Sequence, residues 1–426
     1  MYTFALTLFL KLAKIFSLFS KNLRNNFNIR KNPPDLSKVA GKPYIWFHSA
    51  SVGEYEQVRA LGLEIRKIWP QILQVFSVYS YSGWSQRKND SHPDIFTVLP
   101  FDLPHKIKPI LDHPPAMMIY ARYDVWYNLA KALFLRSIPQ YVICAALPEN
   151  SKRSTGLASR FNIKIYSMMK QIFTVDPTQT QVFENQGLKA ITAGDTRFEA
   201  ILERQNSISV EKQMLKSKLK EYLKKVNKPI LIAGSSYLTS EKMLLSALSK
   251  TRDFFLILAP HRIHLDHLSQ IQTLAQEQSL VLQNFSEIEN ANSDADVLLL
   301  DVMGLLIYIY DLADLAYIGG AFEGKIHNIL EPCAAGLPVL AGPHYKNSPE
   351  AVDLSQKKLF FSIPEPDAGL FINQLQPLLD SEYRKHVSQN IDTWFHSRLG
   401  ATEKIITYIQ DDLTKIANAE TSQNVF

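Results

Sequence analysis

Tyr44-Ile45-Trp46-Phe47 runs directly into His48-Ser49-Ala50-Ser51-Val52-Gly53-Glu54, and Val58, Leu61, Ile65 and Ile68 come next at helical spacing. The short apolar run reads as a strand, and the three-to-four-residue recurrence reads as the buried stripe of a helix. The unit strand, small-residue turn, helix then repeats. Gln74–Val78, Met117–Tyr120, Gln140–Cys144 and Ile172–Val175 are strand-like runs flanked by turn or polar residues and separated by helical patterns. A second series begins after Pro229 with Ile230–Ala233, Phe254–Leu258, Val297–Leu300, Leu315–Ile318 and Pro338–Leu340. This alternation predicts parallel sheets covered by helices, hence an α/β protein built from two Rossmann-like halves. In such sheets ligands bind beyond the carboxyl ends of the strands, so the residues just after each strand are the functional candidates.

A chain of 426 residues is long enough for two or three domains. The boundaries read from composition are an amino-terminal segment 1–31, a first domain 32–205, a linker 206–228 and a second domain 229–426. The linker carries Lys212, Lys216, Lys218, Lys220, Lys224, Lys225 and Lys228, the pattern of a solvated helix or connector. With 46% hydrophobic and 20% charged residues the chain is an ordinary globular one, which excludes disorder and a polytopic membrane protein. Cys144 and Cys333 both sit in apolar runs, which points to core thiols and a reducing compartment.

The net charge of +5 is concentrated at one end. Lys11, Lys14, Lys21, Arg24, Arg30 and Lys31 precede the first acid, Asp35, so the tail holds +6 and the remainder, +5 less +6, is −1. A nucleic-acid binder would spread basic residues over its folded domains, so no nucleic-acid partner is expected. The longest uncharged run in the tail, Met1–Leu10, is half of what a bilayer span needs. Wound as a helix, Thr3, Thr7, Lys11, Lys14, Ser17 and Lys21 share one side, and Leu8, Phe9, Leu12, Ile15, Phe16 and Phe19 the other. Such a stripe suits an uncleaved helix lying in an anionic membrane surface. A helix docking its apolar face on the protein's own body and a signal anchor are the alternatives.

Five stretches after strands carry candidate chemistry. Ser51, Gly53 and Glu54 let backbone approach a ligand and place an acid at a helix start, where it serves either chemistry or the helix dipole. Arg122 and Asp124, with Tyr123, Trp126, Tyr127 and Asn128, form either a sugar-binding lip or a local ion pair among stacked rings. Ala233-Gly234-Ser235-Ser236 is a small-residue turn before a helix containing Glu241, and His261 and Arg262 end the next strand; together they suit one phosphate. Finally, Gly319-Gly320 leads into His327, Asn328 and Glu331, expected at i, i+1 and i+4 on one helix, with Glu331 placed to accept from a ribose diol. Gly319-x-x-x-x-Gly324-Lys325 imitates a P-loop, but Ile326 stands where the magnesium-holding hydroxyl belongs. No G-x-G-x-x-G, G-x-S-x-G or HExxH spacing occurs, so no cofactor or metal is expected.

Taken together, Ser51-Val52-Gly53-Glu54, Asp124-Val125-Trp126-Tyr127-Asn128, Gly194-Asp195-Thr196-Arg197-Phe198, Asp301-Val302-Met303-Gly304, Gly319-Gly320, His327-Asn328-Ile329-Leu330-Glu331-Pro332 and Gly342-Pro343-His344 resemble the 3-deoxy-D-manno-octulosonic acid (Kdo) transferases. The resemblance runs from the apolar start to the region of Trp394. It implies a GT-B fold, two Rossmann-like domains facing a cleft, with a membrane-associated amino-terminal helix. It also implies inverting transfer of Kdo from CMP-Kdo to the tetraacyl lipid A precursor, lipid IVA, at the cytoplasmic face of the inner membrane. Glu54 then matches the family's proposed general base, and Ser51, Gly53, Arg122 and Asp124 fall on the acceptor side. Ser235, Ser236, His261, Arg262, Met303, Gly304, Gly320, His327, Asn328 and Glu331 fall on the donor side. The chain departs from the family pattern in three places. Arg122 and Asp124 stand where many members have two glutamates, Pro260-His261-Arg262 replaces Pro-Arg-His, and Leu305 replaces a Glu after Met-Gly. The rival readings are another GT-B glycosyltransferase or epimerase using a UDP-sugar, and a noncatalytic nucleotide-binding protein.

Overall fold

The computed structural model describes residues 2–147, 156–290 and 294–423. Two compact units emerge, one formed by Met1–Ala200 with Arg398–Phe426 and the other by Ile201–Ser397. The carboxy-terminal stretch therefore groups with the first unit, where the sequence reading assigns it to the second domain. The physical reason is the apolar stripe of helix Ala401–Gln423, whose Ile405, Ile409, Leu413 and Ile416 join the core of the first unit.

The first unit holds a seven-stranded parallel sheet. Its strands are β1 (Tyr44–Ser49), β2 (Leu73–Val78), β3 (Ile95–Val98), β4 (Met117–Ala121), β5 (Gln140–Ala145), β6 (Gln171–Thr174) and β7 (Ala190–Thr192). They lie in the order β3-β2-β1-β4-β5-β6-β7. β1 is buried at all six positions, as a central strand covered on both faces must be. Ile45 and Phe47 point to the side where Val58, Leu61 and Ile65 of helix Val52–Ile68 pack. Tyr44 and Trp46 point to the other side, against Leu129, Ala130 and Leu133 of helix Tyr127–Phe134. The order reverses between β1 and β4, and that switch point is where the loop ahead of Glu54 and the Arg122–Asp124 loop emerge.

The second unit repeats the plan with β8 (Ile230–Ser236), β9 (Phe255–Pro260), β10 (Leu282–Asn284), β11 (Val297–Leu299), β12 (Leu315–Ile318), β13 (Val339–Ala341) and β14 (Phe360–Ser362). The order is β10-β11-β9-β8-β12-β13-β14, and here the reversal falls between β8 and β12. Most of 206–228 is not a free connector. It forms helix Val210–Leu223, capped by the Ser209 hydroxyl and anchored by buried Leu219, Tyr222 and Leu223, with most of its lysines exposed.

The amino-terminal residues form helices Tyr2–Phe16 and Lys21–Asn28. The first turns its threonine side inward: Thr3, Leu6, Thr7, Leu10 and Ala13 are half-buried and Ser17 is buried. Phe4, Leu8, Phe9, Leu12, Ile15 and Phe16 are exposed, which overturns the alternative in which the apolar face docks on the body. Tyr2 ties this helix down, donating its hydroxyl to Asp102 at 3.0 Å and stacking on Phe161 at 5.3 Å. Arg30, counted with the basic tail by sequence, is instead buried. Its guanidinium donates to the carbonyls of Leu99 (2.8 Å), Asn26 (2.9 Å) and Tyr79, and burial pulls its pKa down to about 10. Among the described residues no helix is long and apolar enough to cross a membrane. Cys144 and Cys333 are both buried free thiols.

Candidate functional site

Beyond β1 the chain turns at Ala50-Ser51 and enters its helix with Ser51 as N-cap, so Glu54 is the third helical residue. One carboxylate oxygen of Glu54, Oε2, accepts from the Ala50 N–H (3.0 Å), the Ser51 N–H (3.0 Å) and the Ser51 hydroxyl (3.2 Å). These donors are ones a helix start leaves unsatisfied, so this oxygen does capping work. The other oxygen, Oε1, has no hydrogen-bond partner among the described residues. The two readings of this acid, helix capping and chemistry, thus fall on different oxygens of one carboxylate. A Cβ at Gly53 would meet nothing within 4 Å, so the surface beside Glu54 is open backbone.

Across the switch point the local Arg122–Asp124 ion pair, one of the two readings of this stretch, does not form. Arg122 takes a left-handed backbone, φ +58°, a conformation that costs an ordinary residue about 1–2 kcal/mol. Its Nε is buried without a partner. Asp124 turns to His48, whose Nε2 lies 3.0 Å from Oδ2. Beside them Trp126 stacks on Tyr79 with ring centres 4.5 Å apart, and the Arg30 guanidinium lies over the Tyr79 ring at 4.2 Å. Asn128 is held by Asp102, which accepts from the Asn128 and Leu129 N–H groups at 2.8 and 2.9 Å and so caps helix Tyr127–Phe134 from a distant loop.

The Gly194–Arg197 motif braces this rim. Asp195 is buried, accepting from Gln57 Nε2 on the Glu54 helix (2.9 Å) and from Arg197 Nε and Nη2 (2.8 and 2.6 Å). Burial pushes its pKa up, but Arg197 and Gln57 outweigh that and hold the carboxyl at about 2. The Thr196 hydroxyl donates to the Gln57 carbonyl at 2.9 Å, a second brace on the same helix.

In the second unit β8 continues through the residues read as a turn. Ser235 is left-handed, φ +53°, which throws its side chain off the strand pattern. Ser236 is 1% exposed and donates its hydroxyl to buried Glu241 at 2.8 Å, so it is spent within the core rather than presented to a ligand. Burial raises the Glu241 pKa, although Ser236 and His267 oppose the shift. At the rim, Tyr237, His261 and His327 form a stack: His261 and His327 are 4.6 Å apart, Tyr237 and His261 5.0 Å. The Tyr237 hydroxyl lies 3.0 Å from His327 Nε2. Burial foremost, then Arg262, lowers the His261 pKa; burial, then His261 and Lys325, lowers that of His327. Both shifts favour the uncharged rings, and Arg262, exposed, and Lys325 are cations at this rim.

The glycine pair is dictated by close packing. A Cβ on Gly319 would lie 2.1 Å from the Ser235 carbonyl oxygen, and Gly320, at φ +89°, would put one 2.3 Å from that of Lys325. The expected helix carrying three side chains does not form after this pair. Turns occupy 321–324, His327 and Asn328 lie outside any helix or strand, and only Glu331 stands on helix Leu330–Ala334. Asn328 still reaches it, accepting from the Leu330 N–H at 3.1 Å and donating to Glu331 Oε1 at 3.4 Å. Arg204 approaches the same oxygen at 3.4 Å. Met303 is 66% exposed, and the bare Cα of Gly304 faces Lys212, whose ammonium lies over the Tyr308 ring at 5.3 Å. Arg204, Lys212 and Tyr237 escaped sequence reasoning. Arg204 lies on the helix that follows the Gly194–Phe198 motif but beyond the motif itself, Lys212 sits among the linker lysines, and Tyr237 reads as an ordinary residue after a turn. Among the described residues no group of three or more His, Cys, Asp or Glu side chains is placed to hold a metal.

Two parallel sheets, each with a loop-lined switch point, define a GT-B-like glycosyltransferase fold. The structure is similar to UDP-GlcNAc 2-epimerase from Neisseria meningitidis, with a TM-score of 0.59 and 14% identity over 87% of this chain and 100% of that one. Residues 21–200 match the family described as 3-deoxy-D-manno-octulosonic-acid transferase (kdotransferase). A 3-deoxy-D-manno-octulosonic acid transferase of Haemophilus influenzae is 27% identical over 72% of this chain and 72% of its own length. A bifunctional glycosyltransferase/methyltransferase of Fusobacterium nucleatum is 23% identical over 88% of this chain, which spans 58% of that protein's length. The chain is thus similar to the Kdo transferases, through the family match over residues 21–200 and through these relatives over most of its length.

Proposed function

We propose that the protein transfers Kdo from CMP-Kdo to the tetraacyl lipid A precursor, an acylated, phosphorylated disaccharide, with inversion at the sugar carbon. The observation that carries this reading is the divided carboxylate of Glu54 at the switch point of the first sheet, one oxygen anchored by three donors and the other without a partner among the described residues. A sugar hydroxyl is a weak nucleophile at neutral pH. Oε1 takes its proton as the new C–O bond forms, while the bond from the Kdo carbon to the CMP phosphate breaks and its electron pair leaves with CMP. Ser51, Gly53, Arg122 and Asp124 hold the acceptor on this side.

The donor is assigned to the second unit. Glu331, oriented by Asn328 and Arg204, accepts from ribose hydroxyls, and the rim of Ser235, His261, Arg262, Gly320 and His327 receives the single phosphate, with Met303 and Gly304 beside the nucleotide. Ser236 drops out of the contact set because its hydroxyl serves Glu241. The outward apolar face of helix Tyr2–Phe16, with Lys11 and Lys14 exposed alongside it, suits insertion into an anionic membrane surface, which would bring the protein to a lipid acceptor on the cytoplasmic face of the inner membrane.

Incubation of the full chain with labelled CMP-Kdo and the tetraacyl disaccharide tests the reading. Label is expected to move to the lipid fraction. Turnover of a UDP-sugar instead, or binding of CMP-Kdo without transfer, would replace it with one of the rival functions.

A further inference from the structure

His48 is fully buried in β1, one residue from the strand's end, and its ring is fixed at both nitrogens. Nδ1 lies 2.8 Å from the Ser77 hydroxyl and Nε2 lies 3.0 Å from Asp124 Oδ2. Ser77 is also engaged from a third direction, because the Trp46 indole N–H points at its oxygen from 2.7 Å. Chemistry sets the direction of each bond. An indole only donates, so the Ser77 oxygen accepts from Trp46. An ionised carboxylate only accepts, so Nε2 carries a hydrogen toward Asp124. Nδ1, at 2.8 Å, is the near target of the Ser77 hydroxyl hydrogen. The alternative target of that hydrogen, the Phe47 carbonyl, is farther at 3.4 Å. The chain of donors runs one way, from Trp46 through Ser77 and His48 to Asp124.

Trp46, Ser77 and His48 are wholly enclosed, and Asp124 alone reaches the surface, with its side chain 13% exposed. Among the described residues Asp124 caps no helix and forms no bond to a guanidinium, and its second oxygen, Oδ1, has no hydrogen-bond partner. We propose that His48 is a positioning residue: by donating Nε2–H to Oδ2 it fixes the Asp124 carboxylate so that Oδ1 stands as a preset acceptor for a hydroxyl of the sugar acceptor. This rests on the reading of Asp124 as an acceptor-side residue. The physical gain is preorganisation, since an unanchored aspartate would have to be ordered at each binding event.

The test is steady-state kinetics of the full chain with the acceptor varied, on His48→Gln, His48→Asn and Asp124→Asn. The amide nitrogen of Gln falls near the place of Nε2 and that of Asn near Nδ1. His48→Asn is therefore expected to raise the acceptor KM about tenfold or more, the scale of one lost charged hydrogen bond, with the donor KM unchanged. His48→Gln should recover most of that loss although both variants replace the same buried ring. Equal acceptor KM values in His48→Asn and the wild type would overturn the proposal. If Asp124→Asn is also normal, the acceptor reading of Asp124 fails too; if Asp124→Asn alone raises KM, only the role of His48 fails. Should the His48 variants not fold, nitrogen-15 spectra of the unaltered protein decide: the Nε2–H tautomer is expected, and an Nδ1–H tautomer would overturn the proposal.

Discussion

The two switch points solve opposite electrostatic problems. At the first, between β1 and β4, two carboxylates are each held by one oxygen: Glu54 by the main-chain and hydroxyl donors of its turn, Asp124 by a buried histidine. At the second, between β8 and β12, the rim is made of stacked rings biased toward the uncharged form, bare glycine backbone and an exposed guanidinium. The first offers fixed acceptors and a free basic oxygen, which suits a nucleophile that must lose a proton. The second offers donors and a guanidinium around the ring stack, which suits a phosphate that must leave with added charge. On the proposed reading, one sheet plan, used twice, serves the acceptor at one switch point and the donor at the other.

The largest effect is expected at Glu54. Glu54→Gln keeps a capping oxygen but cannot take a proton, so kcat should fall by about 10²–10⁴-fold. Its melting temperature should move little, since one dipole-facing charge is worth about 0.3–1 kcal/mol. Near-normal kcat in a destabilised variant would reduce Glu54 to its capping oxygen and erase the difference between the two rims. On the other side, Gly319→Ala forces a methyl against the Ser235 carbonyl, and calorimetry should show CMP binding weakened by roughly 1–3 kcal/mol, the usual scale of overpacking. Unchanged CMP affinity would mean that the β8–β12 rim is not where the nucleotide sits.

Asp195, the brace of the first rim, adds an acid-dependent stability that the second rim does not share. Its folded pKa, about 2, lies below the ordinary value of 3.8. Its contribution, roughly 2 kcal/mol, is therefore fully present above about pH 4 and lost as pH falls toward 2. Urea unfolding midpoints should drop through that window, and Asp195→Asn should flatten the drop. The smallest effect lies at the outer helix. Lys11→Glu with Lys14→Glu should weaken binding to anionic vesicles by about 1 kcal/mol per lysine removed, and leave CMP binding untouched.

All ten interior strands are legible in the sequence because a strand covered on both faces is a continuous apolar run. β3, β7, β10 and β14 are not, and these are the four edges of the two sheets. Each is three or four residues long and half-buried or partly exposed, so its pattern merges with loop. The same logic governs the site. Ser51 and Glu54 are three residues apart and their contact is local, hence readable. His48 and Asp124 are 76 apart, and the nearer partner for Asp124, Arg122, is turned away by its left-handed backbone. Arg204 reaches Glu331 across 127 residues from a position beyond the Gly194–Phe198 motif. Local geometry is written in neighbouring residues, whereas pairing across strands is decided by which loops the sheet order brings together.

Helix Ala401–Gln423 gives the chain a timing problem. Its isoleucines and Leu413 share a core with Val58, Leu61 and Ile65, the inner stripe of the helix that carries Glu54. About 200 residues, Ile201–Ser397, are synthesised between the two halves of that core. At 5–20 residues per second the ribosome needs roughly 10–40 s to cross them. Throughout that interval the nascent first unit exposes a greasy strip that only its missing lid can cover, and the helix bearing Glu54 cannot settle until residues 401–423 have been made. A transcript broken before residue 400 would yield a chain holding every candidate side chain of both rims and no finished scaffold beneath the first of them.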